Sequence, residues 1–75
     1  MKIEPGIYRH YKQGHKYQVL GTAEHTETLE TVVVYKPLYV IVDGPDVDFF
    51  VRGVEMFSEE VELDGKKMKR FERIE

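Results

Sequence analysis

The chain contains no cysteine, so neither a disulfide framework nor a thiolate zinc site holds it together, and no thiol nucleophile is present. Long apolar runs are also missing. No segment approaches the roughly 18 consecutive apolar residues of a membrane-spanning helix, and Met1 to Gly6 carries one lysine and no apolar stretch, so a cytoplasmic protein without membrane partners is expected. There is no repeat, low-complexity tract or linker. A Gly-rich phosphate loop, a nucleophile elbow and a paired-histidine helix are likewise absent, which removes the strongest enzymatic signatures.

What is present is enough for one small domain spanning residues 1–75, with 41% hydrophobic and 33% charged residues. The formal net charge of −3 argues against whole-molecule attraction to nucleic acid. The charge is nevertheless uneven. Residues 1–20 and 65–75 each sum to +3, whereas residues 43–64 sum to −7. The acids therefore either complement the basic ends or leave a local basic patch of Arg9, Lys12 and Lys16 with Lys66, Lys67 and Arg70. Interleaved with Tyr8, Tyr11 and Tyr17, that patch is the route by which a nucleic acid would bind.

Short β-type runs separated by turn residues predict a mainly β fold. The expected form is a small SH3-like barrel or roll of about five antiparallel strands with one short helical turn. Ile7 to Lys12 and Tyr17 to His25 read as strands joined through Gln13-Gly14-His15, and the alternation of the second points His25 inward with Val19 and Ala23. Thr31 to Tyr35 holds three consecutive valines, stiff residues that favour a strand. Pro37 marks a bulge or edge. A turn at Asp43-Gly44-Pro45-Asp46 would pair Val42 with Val47, Val40 with Phe49 and Leu38 with Val51, leaving Tyr39 and Phe50 together on the other face as a partner surface or homodimer seam. Val54 to Ser58 suits one helical turn that buries Met56 or Phe57. Asp64-Gly65 predicts a two-residue hairpin with Leu63 opposite Lys66, Glu62 opposite Lys67, Val61 opposite Met68 and Glu60 opposite Lys69, the charged pairs being ionic.

Three histidines, at positions 10, 15 and 25, invite a metal reading with Glu24 or Glu27, but their spacing is not diagnostic. His25-Thr26-Glu27-Thr28 supplies base, hydroxyl and carboxylate within four residues. Neighbouring residues on a strand point to opposite faces, so this run is not a triad. The nine aromatics exceed what one small core encloses, and tyrosines beside Arg9 and Arg52 would make an amphipathic patch for peptide or base recognition.

The runs Gly6-Ile7-Tyr8-Arg9-His10-Tyr11-Lys12, Tyr17-Gln18-Val19-Leu20-Gly21 and Ala23-Glu24-His25-Thr26-Glu27-Thr28 resemble the small bacterial family called domain of unknown function 1653. So do Val33-Val34-Tyr35, Leu38-Tyr39, Val51-Arg52, Met56-Phe57 and Arg70-Phe71. The resemblance covers almost the whole chain. It implies an SH3-like fold and a bacterial source, and brings no activity, substrate or cofactor. Phe50 stands where the family pattern has tryptophan, Gly53 where it has proline, and Glu24 where it has a basic residue.

The sequence thus predicts a non-catalytic binding module without a cofactor. Its expected site is a polar and aromatic rim of Tyr8, Arg9, His10, Tyr11, His25, Glu27, Thr28 and Arg52, taking a small anion, nucleotide, nucleic acid or peptide. Arg9 pairing with Glu27, and His10 or His25 hydrogen-bonding Thr28, would account for the same residues as a structural cluster without any ligand. The competing expectation is a small hydrolase or metal-dependent enzyme using His10, His25 and Glu27.

Overall fold

Three valines and a tyrosine in one seven-residue strand give the structure its centre. The computed structural model describes residues 3–12, 14–39 and 41–75. In it the strands β1 (Gly6–His10), β2 (Lys16–Glu24), β3 (Thr31–Pro37) and β4 (Phe50–Gly53) are followed by a single helical turn, α1 (Val54–Phe57). Then come β5 (Glu60–Leu63), β6 (Lys66–Lys69) and β7 (Phe71–Arg73). The fold is mainly β, all antiparallel. One sheet has the order β4-β3-β2-β1-β7, and β5 and β6 form a separate two-stranded ribbon. Seven strands therefore replace the expected five, and β4 and β7 are sheet edges with no ladder between them. Among the described residues no helix is long and apolar enough to cross a membrane.

The inward face of the large sheet buries Tyr8, Val19, Val33, Tyr35 and Phe71, and α1 lays Phe57 across them. Phe57 is 1% exposed whereas Met56 is 54% exposed, which settles which of the two the helical turn tucks in. Phe57 and Phe71 stack in parallel at 4.3 Å, and Tyr8 meets Phe57 edge-on at 5.4 Å. In a flat sheet β4 and β7 would stand about 19 Å apart, four strand spacings. Yet the Arg52 guanidinium of β4 lies 5.5 Å from the Phe71 ring centre on β7, so the sheet is strongly curled and side chains bridge its edges.

The Asp64-Gly65 hairpin has the expected register, Glu60 to Lys69 through Leu63 to Lys66. Its turn residues have φ of 53° and 79°, the left-handed conformations such a turn requires. The charged pairs face each other without closing to ion-pair distance; the ion pairs among the described residues lie elsewhere.

Two further expectations are overturned. The hairpin at Asp43–Asp46 does not form: Phe50 pairs with Tyr35 and Val51 with Val34, and residues 38–39 and 41–49 make an irregular excursion. Pairing β4 with β3 brings Phe50 against the core, whereas a ribbon of Val42, Val47 and Leu38 would have no core to cover. Tyr39 and Phe50 are consequently not cross-strand neighbours. The expected Val40 to Phe49 pair involves Val40, and the first turn involves Gln13, both outside the described residues. His25 does not point inward either. A bulge between Val19 and Gly21 shifts the phase of β2, Gly21 taking φ of 152°, and His25 is exposed beyond the strand end.

Phe57→Ala is expected to cost about 3–5 kcal/mol, because it empties the one side chain that spans the inward face. Urea unfolding reads this directly. A loss under about 1 kcal/mol would mean that the core closes without Phe57.

Candidate functional site

At the end of the sheet where β1 turns into β2, the inward-facing positions change from apolar to polar. Cross-strand register sets Phe71 opposite His10, Tyr17 opposite Tyr8 and Arg52 opposite Val33, so His10, Tyr17, Phe71 and Arg52 share the concave face. The His10 ring meets Phe71 edge-on at 5.0 Å and lies beside Tyr11 at 5.0 Å. Tyr17 stands edge-on to Phe71 at 5.6 Å and to Tyr39 at 5.6 Å, and its hydroxyl lies 3.0 Å from that of Tyr39. The Tyr39 ring rests on His15 at 4.1 Å. Together these groups form a mouth floored by rings and edged by cations.

Proton positions in the mouth follow from the hydrogen bonds. His10 Nδ1 accepts the Lys12 backbone N–H at 3.2 Å, so the neutral imidazole carries its proton on Nε2 as a donor. Burial, and then the cations Arg52, Arg70, His15 and Lys12, hold the His10 pKa below its ordinary 6.5. Burial and the Tyr39 hydroxyl push the Tyr17 phenol well above its usual range, so it stays protonated. Whichever of the two phenols donates to the other, the acceptor's own proton remains available to a third group. Two buried nitrogens, His15 Nδ1 and Arg70 Nε, have no partner among the described residues.

The other expected site residues lie elsewhere. Tyr8 is 8% exposed within the core, its hydroxyl donating to the Glu4 carbonyl at 2.8 Å, and burial raises its pKa. Arg9 points to the outer face and pairs with Glu72 at 3.7 Å rather than with Glu27, because β7 runs beside β1 and sets Glu72 opposite it. His25, Glu27 and Thr28 form an exposed turn at the far end of β2, roughly 25 Å along the strand from Tyr17. There His25 Nδ1 accepts the backbone N–H groups of Glu27 at 3.2 Å and Thr28 at 3.3 Å, and Thr28 Oγ1 accepts that of Glu30 at 3.3 Å. The bond expected between His25 and Thr28 thus exists, to the backbone, and its job is to close a turn. His10 instead bonds Lys12.

The arrangement therefore separates His10 from His25 and Glu27, and among the described residues no three His, Cys, Asp or Glu side chains gather to hold a metal. The basic patch is divided as well: Arg9 is paired with Glu72, Arg70 with Glu59 at 3.5 Å, and Lys66 and Lys67 belong to the separate ribbon. Of the expected residues, the mouth collects His10, Tyr11 and Arg52. Phe50 packs inward against the core, its ring 6.2 Å from that of Tyr35. The rim list passed over His15, Tyr17, Arg70 and Phe71, and a reading of Phe71–Arg73 as a strand beside β1 would have placed Phe71 next to His10.

Fold and site together define a small mainly β domain with a cationic, aromatic mouth at one end of a curled sheet. A family model described as protein of unknown function (DUF1653) matches residues 6–73, and the chain belongs to that family. It is similar to a family member from Bordetella bronchiseptica known from a crystal structure. That likeness has a TM-score of 0.84 and 38% identity, covering 96% of this chain and 87% of the other. No curated protein matches the chain.

The depressed pKa of His10 links the mouth to stability. Its folded pKa lies below the unfolded value near 6.5, so the unfolded chain binds the extra proton first. This contribution is fully present above about pH 6.5 and is lost as pH falls through the folded value. His10→Asn, whose carbonyl keeps an acceptor near the position of Nδ1, should therefore lose less stability than the parent between about pH 7.5 and 5.5. Equal slopes in urea midpoints would show that His10 does not titrate with folding.

Proposed function

We propose that the protein is a non-catalytic binding module whose mouth takes a small anion. The observation that carries this reading is Arg52. Its guanidinium lies on the Phe71 face, and neither ion pair of the described residues uses it, so its planar fork of donors is left for a carboxylate or phosphate. His10 supplies an Nε2–H donor beside it, and the charged groups that depress the pKa of His10 are all cations. Around His10 and Arg52 the side-chain oxygens are the phenols of Tyr17 and Tyr39, with the Glu59 carboxylate taken up by Arg70, and Tyr17 stays protonated, so this face presents donors rather than a nucleophile with its base. A formal net charge of −3 disfavours long polyanions and leaves local recognition of a small one.

Inorganic phosphate titrated into isotopically labelled protein should shift the amide signals of His10, Tyr11, Lys12 and Arg52. Arg52→Gln should weaken that response about ten-fold or more, the usual cost of removing a charge-assisted bond. Arg52→Lys keeps the charge without the fork and should fall between the two. Arg9→Gln, on the outer face, should leave phosphate binding unchanged. An anion beside His10 should raise the pKa of its imidazole, which a pH titration of the ring signals with and without phosphate would read. A response in the His25 turn instead, or Arg52→Gln binding like the parent, would remove the reading.

A further inference from the structure

The mouth has two chemically different halves. Arg52, His10 and Lys12 gather around Phe71, whereas Tyr39 lies beyond Tyr17, at the start of the irregular excursion. Tyr17 stands between, its ring centre 5.6 Å from that of Phe71 and 5.6 Å from that of Tyr39, so the Tyr39 ring is no more than two ring spacings from Phe71. That is the reach of a ribose joining a base to its 5′-phosphate. The Tyr39 ring is 37% exposed with one face on His15, and it is tied by its hydroxyl to Tyr17. A partly exposed ring fixed in this way can serve as a stacking platform, and base stacking on an aromatic side chain needs no particular sequence.

Resting on the proposed anion reading, we infer that the ligand is a nucleoside 5′-monophosphate, its phosphate on Arg52 and His10 and its base stacked on Tyr39. Charge favours this ligand over a carboxylate bearing an aromatic ring. Arg70 is paired with Glu59, whereas neither ion pair of the described residues uses the Arg52 guanidinium or the Lys12 ammonium, and these two cations suit a phosphate monoester, with its charge of about −1.5 to −2 at neutral pH, better than a monoanion. The acidic remainder of the chain sets the opposite limit. With residues 43–64 at −7, a strand of further phosphates gains repulsion with each added unit, so one nucleotide is preferred to a polymer. No bond is made or broken, and the protein holds the nucleotide.

Calorimetry or amide-shift titration with adenosine 5′-monophosphate, ribose 5-phosphate, inorganic phosphate and a short single-stranded RNA separates the claims. The nucleotide should bind about ten-fold tighter than ribose 5-phosphate, the increment of one stacked base. Tyr39→Leu should erase that difference, and Tyr39→Phe, which keeps the ring, should retain it. Equal binding of nucleotide and ribose 5-phosphate would overturn the base-stacking inference and leave the anion reading standing. An advantage that survives Tyr39→Leu would overturn it too. RNA binding that tightens with length would replace the mononucleotide by a polymer. No binding of any of the three phosphates would end both readings together.

Discussion

Phe71 stands on the shortest strand of the large sheet, and the core and the mouth both depend on it. One face stacks on Phe57 at 4.3 Å, which anchors α1; Tyr35, Tyr17 and His10 approach it at 5.9, 5.6 and 5.0 Å; and Arg52 lies over it at 5.5 Å. These partners come from β1, β2, β3, β4 and the helical turn, so one ring gathers every element that the curled sheet brings round. Cation–π and aromatic contacts of this kind are worth roughly 0.5–1.5 kcal/mol each beyond area burial. Their larger effect is geometric. Because β4 and β7 share no ladder, side-chain contacts such as that of Arg52 with Phe71 join the two edges of the sheet.

The same arrangement explains which parts of the fold were legible in the sequence. The β5–β6 ribbon could be read to the residue because Asp64-Gly65 admits few backbone conformations and fixes the register of everything on either side. The valine run of β3 declared itself by stiffness. The segment Phe71–Arg73 did not, since three residues show no periodicity and their strand exists only because β1 offers an edge. The bulge after Val19 was equally hidden. A single extra residue reverses every later prediction of facing, which is why His25 was expected inside and stands in solvent.

Residues 38–49 show the limit of local pattern. Two apolar runs around an Asp-Gly-Pro-Asp turn look like a hairpin, and a hairpin prefers any partner that also buries a face. Phe50 and Val51 found one in Tyr35 and Val34, and the intervening chain was left irregular with Val42 86% and Val47 55% exposed. The site was legible to a similar degree. His10, Tyr11 and Arg52 could be named from residue type and motif. In the sequence His15, Tyr39 and Arg70 point to other roles, as metal ligand, partner surface and basic patch, and their place beside His10 and Phe71 was not legible, because only the closing of the sheet brings residues this distant in sequence to one end.

A cationic mouth within an acidic chain is an arrangement of pairing as much as of composition. Glu72 occupies Arg9 on the outer face, and Glu59 occupies part of Arg70 behind the mouth. Of the acids at 43–64, Glu59 pairs with Arg70, and the others lie on the excursion, the helical turn and the ribbon. With the screening length near 8–10 Å at ordinary salt, groups within the mouth act on one another while the distant acids are largely damped. Local sign therefore governs what binds at contact, and net sign governs what approaches from afar. A small anion satisfies both conditions at once, since it carries enough charge to be held by Arg52 and His10 and too little to be turned away by the whole.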